Sequence, residues 1–447
     1  MPCASCALRV VSGLLLLFDA CFGSTPPSRI AFGSCNRALV EQPFWQHIVA
    51  RQPDLWVWGG DAIYGDTGAL GRYGELEEVS FEGLLKVLRG KKFEAASPEQ
   101  LRALYNKQLA NKGYQQLMRT CPVVGTWDDH DYGIDNGDAS YTFRKESQQL
   151  FLDFLQVPPG SPLRARRGVY SVHTSGPIGQ RVSVILLDCR YHQNITAGVL
   201  LGEEQWEWLE ETLRTSESQV HIVVSGIQVL PYRAFTENWA KFPKEQARLI
   251  RLLLSSGVPG VLLVSGDVHM AEVSSVLCTH RDSDSARQLL EVTSSGLTHS
   301  TGVRPFFLER WGFWIYMKLV PQEYQVSGYY WRPNVGEVVV DWDAGTAKSV
   351  RVNLYGEDGV KAVITAALEP NNLVRRRPLQ DSDNSVWSCS PAGSHDPARD
   401  PSPTIPKDVL VLLCVAGWVV VCFLGMCLSQ SLALPRRPPL AVGKKHV

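Results

Sequence analysis

Five apolar runs in this 447-residue chain each stop on residues able to bind a metal or move a proton. RIAFGS ends at Cys35, DLWVWGG at Asp61 and PVVGTW at Asp128-Asp129-His130. VSVILL ends at Asp188 and Arg190, and VLLVSG at Asp267 and His269. Singly these are ordinary: an Asp after a strand usually serves a turn, and a Cys among apolar residues usually packs. Together they are not. In layered α/β folds the loops at the carboxyl ends of strands gather into one site. Several carboxylates sharing one cleft repel unless cations neutralise them. Metal is the simplest neutraliser, and a mixed set of S, O and N donors suits more than one ion.

Other chemistries fit less well. Structural zinc needs Cys/His pairs close in sequence, which the body of the chain lacks. There is no His-Glu-x-x-His helix and no Gly-x-Ser-x-Gly elbow for a serine nucleophile. A net charge of −1 gives no electrostatic footprint for nucleic acid. What remains is a centre of two or more metals that activates water for hydrolysis.

The elements that must position these groups alternate apolar runs with amphipathic segments, the rhythm of a layered α/β fold. RIAFGSC, DLWVWGGD, PVVGTWDD, RVSVILLDC, QVHIVVSG and GVLLVSGD read as strands. QPFWQHIVARQ, SPEQLRALYNKQLANKGYQQLM and EEQWEWLEETLRTS read as helices, the second opening on a Ser97-Pro98-Glu99 start signal. VGEVVVDWD and KSVRVNLYGEDGVKAVI read as antiparallel strands with a turn at Glu357–Gly359. The expected architecture is two packed β-sheets flanked by helices.

FGSCN (32–36), GGDAIYGDT (59–67), TWDDHDYG (126–133), LLDCRYH (186–192) and SGDVH (265–269) carry a resemblance. So do RRGVYSVH, LGEEQWEWLE, SGIQVL and SSGLTHS. Together these stretches resemble the PhoD-like alkaline phosphatase family of metallophosphoesterases, in family order from about Arg29 to Leu354. The resemblance implies a metallophosphoesterase-like sandwich that hydrolyses phosphate mono- or diesters with a metal-activated hydroxide. It implies that Cys35, Asp61 and Tyr64 hold a ferric ion, with Asp61 bridging to a second, divalent metal such as calcium. Asp129, Asp267 and His269 are the further metal ligands it implies, His130 the catalytic histidine, and Arg190 a residue that contacts the substrate anion. Asp128 and Asp131 are expected to support the loop, and no role is assigned to His192, Gln228 or His299. The SGIQ strand end lacks the additional histidine of ordinary metallophosphoesterases, as the family does. A catalytically idle lumenal binding or scaffold protein is the alternative. It would show the loss of a ligand or of the histidine, and neither is lost.

The ends of the chain suggest where it works. Residues 1–23 read as a signal peptide, 24–370 as the metallophosphatase domain and 371–408 as a Pro/Ser/Asp-rich linker. The uncharged run 409–428 reads as one transmembrane helix, and the basic segment 429–447 as a cytosolic tail. That gives a single-pass type I membrane protein of the secretory pathway. The closing KKHV resembles a dilysine signal read by coat proteins, which points to the endoplasmic reticulum. Asn194-Ile-Thr196 is a glycosylation sequon. Five cysteines fall in the mature lumenal part, so one at least is unpaired; if Cys35 has another task, Cys121, Cys189, Cys278 and Cys389 can pair in ways the sequence leaves open. A membrane anchor suits a substrate whose phosphate is linked to lipid or glycan.

Overall fold

The computed structural model describes residues 25–68, 93–233, 236–280, 286–301, 324–343, 345–374, 387–392 and 441–442. The expected signal peptide, transmembrane run and KKHV signal lie outside the described residues. Among the described residues no helix is long and apolar enough to cross a membrane.

Strands follow in the order β1 (Arg29–Gly33), β2 (Leu55–Gly59), β3 (Thr67–Gly68), β4 (Phe93–Glu94), β5 (Val123–Thr126) and β6 (Ser171–Ser175). Next come β7 (Val182–Leu186), β8 (Val220–Ser225), β9 (Val261–Ser265), β10 (Ala271–His280) and β11 (Ala286–Ser294). The last are β12 (Val335–Asp343), β13 (Thr346–Tyr355), β14 (Ala362–Ala367), β15 (Trp387–Pro391) and β16 (Ala441–Val442). One sheet runs β14-β13-β12-β1-β2-β5, and a second runs β16-β15-β10-β11-β9-β8-β7-β6. β1, β2 and β5 are parallel, as are β7, β8, β9 and β11, so each sheet aims several carboxyl ends the same way.

The period-2 alternation of each strand builds the layers. On β1 and β2, Ile30, Phe32, Leu55 and Val57 meet Val184, Ile222, Val264 and their neighbours from the facing sheet, making the inter-sheet core. Ala31, Trp56 and Trp58 point the other way, against helices Trp45–Ala50, Pro98–Leu109, Lys112–Thr120 and Arg144–Phe154. Ile185, Val223 and Leu263 pack against helices Glu203–Thr215 and Pro243–Ser255 on the opposite outer face. Fully burying each such aliphatic side chain is worth about 1.5–3 kcal/mol. The two packed sheets flanked by helices expected from the sequence are present.

Three local readings change. The long helix expected over SPEQ…QQLM is two, because Asn111 leaves helical geometry and its side chain accepts from Tyr114 N to cap the second. β10 and β11 were not anticipated. The third change lies inside the stretch expected to be a linker: Trp387–Pro391 joins the second sheet beside β10, fixed by a Cys278–Cys389 disulfide. Ala441–Val442, within the expected cytosolic tail, pairs with Trp387–Ser388 of that strand. Cys35, Cys121 and Cys189 are free and buried.

The two sheets meet at their carboxyl ends. Ser34, just past β1, bridges in parallel to Ser295, just past β11. Thr126 Oγ1 donates to Leu187 O across the same seam at 2.7 Å. The chemical groups at the strand ends are therefore delivered to one edge.

Candidate metal centre

Four of the strand-end donors sit on abrupt turns. Cys35, Asp61, Asp267 and His269 all have positive φ, 60°, 50°, 72° and 59°. Residues bearing a Cβ rarely adopt that region, and where they do the surrounding fold must hold them, commonly at a functional site. Gly60, at φ 102°, lets the loop pass close to the acid cluster, since a Cβ there would lie 2.6 Å from Asp128 Cβ.

The donors form three overlapping groups. Ligand atoms of Cys35, Asp61 and His269 lie within 4.8 Å of one another. So do those of Asp61, Asp129 and His130, and those of Asp128, Asp129 and Asp267. Asp61 links the first pair of groups and Asp129 the second, so the row is continuous. Tyr64 joins at one end, its hydroxyl 3.0 Å from His269 Nε2. Cys35 Sγ lies 3.6 Å from Asp61 Oδ2 and 3.0 Å from Ser295 Oγ. Every ligand residue expected from the resemblance is thus brought to this row.

Four partners were not foreseen. His130 Nδ1 donates to Asp66 Oδ1 at 2.6 Å, and Asp66 Oδ2 also accepts from Asp135 N at 3.0 Å. The carboxylate fixes the ring and leaves Nε2, 4.0 Å from Asp129 Oδ1, as the nitrogen on the donor side. His299 stacks on His269 with centroids 4.0 Å apart and meets Tyr64 edge-on at 4.8 Å. Asp128 was expected only to support the loop, yet its carboxylate enters the third group. Glu237 pairs with Arg190. Asp66 stood in plain view five residues after Asp61 in the GGDAIYGDT motif; Glu237 lies in a loop with no motif to mark it.

Arg190 is 0 % exposed and held among carboxylates, with Nε donating to Asp128 Oδ1 at 2.7 Å and Nη1 to Glu237. Asp131 accepts from Ala62 N and Ile63 N, both at 3.1 Å, and so anchors the loop that carries Asp61 and Tyr64. Asp188 serves three backbone N–H groups, of Val169, Arg190 and Tyr191, and stays outside the donor row. His192 and Gln228 also stay outside it; Gln228 bonds Glu272 and Thr293. At the SGIQ strand end, Gly226 abuts the acid cluster: a Cβ there would meet Asp128 Oδ1 at 2.8 Å. Asp128, with its arginine partner, fills the room at this imidazole-free strand end.

Burial and mutual repulsion push most of the donors towards their protonated forms. Burial, with the Asp61 charge behind it, pushes the Cys35 thiol and the Tyr64 phenol well up. Burial, then Asp128 and Asp129, holds Asp267 well above the usual carboxylate range. Asp61 is raised by burial too, and by Asp129 and Asp128 against the pull of His130. Burial pushes Asp128 to about 7 in spite of Arg190. Asp129 goes the other way, since His130 and Arg190 together overcome its burial. Burial works against a charged His130, but Asp129, Asp66 and Asp61 outweigh it and raise its pKa well above the ordinary value.

These residues fit metal. Asp128 Oδ2 is buried and has no hydrogen-bond partner, an unmet acceptor on a residue of the third donor group. Leaving such an atom bare is costly, and a cation would satisfy it. At the other end, thiolate and phenolate are donors favoured by a strongly charged ion, whose field removes their protons.

A family model described as PhoD-like phosphatase matches residues 30–310. The chain is 22% identical over 297 residues to alkaline phosphatase D of Bacillus subtilis (strain 168). That alignment covers 57% of this chain and 48% of the relative, so the chain spans about half the length of the curated protein it matches. Among solved structures it is similar to one described as the structure of PhoD, with a TM-score of 0.53 and 16% identity. That likeness covers 78% of this chain and 74% of the other, and is a likeness of fold. With the matched model running over more than half of its length, through every strand end in the donor row, the chain belongs to the PhoD-like phosphatase family.

Proposed function

We propose that this chain is a metal-dependent hydrolase of phosphate mono- or diesters, an alkaline phosphatase or phosphodiesterase of the PhoD-like kind. The observation that carries the reading is the continuous row of donors from Tyr64 and Cys35 through Asp61 and Asp129 to Asp267, with His130 held beside it by Asp66. Cys35, Tyr64, Asp61 and His269 would hold a ferric ion, and Asp61, Asp129, Asp128 and Asp267 divalent metal, calcium by family resemblance. When bound, such metals supply a nucleophile from water at neutral pH and charge against the phosphoryl oxygens.

The chain's own residues do the rest. Asp66 keeps the Nδ1 proton of His130 in place, so that Nε2 holds the proton passed to the leaving oxygen. Asp131 fixes the loop that presents Asp61 and Tyr64. Arg190 neutralises and orients Asp128, which makes it a positioning residue more than a direct contact of the ester. The idle-scaffold alternative is disfavoured, because no donor and no proton-transfer group is missing. In the test, Asp61→Asn and His130→Ala are assayed with an aryl phosphate ester. Both lose hydrolysis while remaining folded; retained activity in both would overturn the assignment.

The setting is also proposed: a single-pass membrane protein with residues 1–23 removed, 409–428 spanning, and the catalytic domain in the lumen of the endoplasmic reticulum. The Cys278–Cys389 disulfide supports an oxidising compartment. Asn194 lies exposed on the turn to Val199, accessible to glycosylation. In the anchored protein the tail gives up the two-residue pairing of Ala441–Val442, which is weak beside the insertion of a full apolar span into hydrocarbon. The KKHV end is then presented to cytosolic coat proteins. A lipid- or glycan-linked phosphate is the substrate class that this setting favours.

A further inference from the structure

The groups that must act together reach the edge on separate loops. Asp66 follows β2, Asp129 and His130 follow β5, and Arg190 follows β7. Proton transfer tolerates little slack between them, since a misplacement of about 1 Å can cost about 10²-fold in rate. Something has to hold the proton-transfer pair in register with the metal ligands.

We propose that the turn 134–137 is that register device, and that Asn136 is a positioning residue for the reaction. The proposal rests on the phosphohydrolase reading. Three successive residues of the turn each commit a backbone group to a different side chain of the site. Asp135 N donates to Asp66 Oδ2 at 3.0 Å, and Asn136 N donates to Asp129 Oδ2 at 2.7 Å. Gly137 O accepts from Arg190 Nη1 at 3.5 Å. One short piece of backbone therefore touches the acid that orients His130, a donor of the row, and the partner of Asp128. The turn is braced from within and from behind, by Gly137 N donating to Ile134 O at 2.8 Å and Ile134 N to Asp129 O at 3.0 Å.

Asn136 decides which way those groups point. Its φ is 52°, and a turn with positive φ at its third residue takes Gly or Asn there. A residue that resists positive φ favours the alternative turn, in which the central peptide, between 135 and 136, is flipped. That flip withdraws the Asn136 N–H from Asp129 and turns the Asp135 carbonyl towards a carboxylate. The Asn136 side chain is exposed, with Nδ2 donating to Asp135 Oδ2 at 2.7 Å, so it can be exchanged without opening the core. The demand on this position is conformational.

The test uses the full-length, metal-loaded protein and two esters. One is an aryl phosphate with a good leaving group; the other is an alkyl phosphate with a poor one, which depends more on the proton from His130. Asn136→Val should lower kcat about tenfold on the aryl ester and about 10²-fold on the alkyl ester, with KM and metal content little changed. Asn136→Gly keeps positive φ without the side chain, and should return both rates to near wild type. Asn136→Ala should fall between the two, and serves if the valine variant does not fold. Equal losses on both esters, in proportion to lost metal or lost folded protein, would overturn the proposal and mark the turn as scaffolding. So would a valine variant as active as wild type, or a glycine variant as impaired as valine. Those failures leave the hydrolase reading standing. A wild-type protein that carries its metal and cleaves neither ester removes that reading, and the proposal with it.

Discussion

In the proposed reaction, His130 works only if one ring nitrogen is committed and the other is turned to the ester. Asp66 makes that commitment at 2.6 Å, with its second oxygen held by Asp135 N. An amide at position 66 could present an N–H to Nδ1 and favour the wrong tautomer, which in acid–base catalysis is worth orders of magnitude. Asp66→Asn should therefore lower kcat about 10²-fold or more while metal content and KM change little. Steady-state kinetics with metal analysis of the same sample checks this; an unchanged kcat would show that Asp66 does not act through His130. The sequence carried Asp66 inside a motif already singled out, but a second aspartate in a loop reads as turn chemistry until the fold shows which ring it faces.

Strands were legible where both faces are apolar, or where apolar and polar residues alternate cleanly as in β12 and β13, and lost where buried polar groups interrupt the pattern. β1, β2, β5, β7, β8 and β9 announce themselves, since each is packed between the inter-sheet core and an outer helical layer. β10 and β11 carry Glu272, Ser274, Ser275, Glu291 and Thr293 fully or almost fully buried, which hides their alternation. That polarity has internal uses. Glu272 pairs with Arg233 at 2.6 Å, and Glu291 accepts from Val229 N and Leu230 N, fastening the loop after β8. Burial, with Glu272 adding to it against those N–H donors, raises Glu291 from 4.5 to about 7. A carboxyl raised in the folded state contributes stability that is complete below about pH 4.5. That contribution is lost as pH climbs through about 7. Its size is on the order of 3 kcal/mol. Glu291→Gln should flatten the pH dependence of unfolding free energy over that window, read by denaturant titration; an unchanged slope would refute it. The helix expected in one piece over residues 97–118 broke for a related reason, because Asn111 offers the backbone a cap that periodicity does not register.

For the whole molecule, one edge collects what two sheets deliver, and the sequence made that legible because all the donors sit where apolar runs stop. What it could not give is which carboxylates pair with Arg190, since Glu237 reaches it only through the folded loop. The Cys278–Cys389 bond closes 111 residues and ties β15 to β10. Crosslinking so long a loop constrains the unfolded chain, and removing it costs about 2–5 kcal/mol. Cys278→Ser together with Cys389→Ser should lower stability by that amount with the donor row intact, so metal content is retained while the denaturation midpoint falls. An equal midpoint would mean that β15 adds little. In the proposed function, this edge is a metal centre that hydrolyses phosphate esters. The most direct measurement is turnover of an aryl phosphate ester by one preparation before chelation, after it, and after iron and calcium are restored. The expected result is activity that chelation removes and the metals return. Turnover indifferent to chelation, or none from protein carrying its full metal, would contradict it.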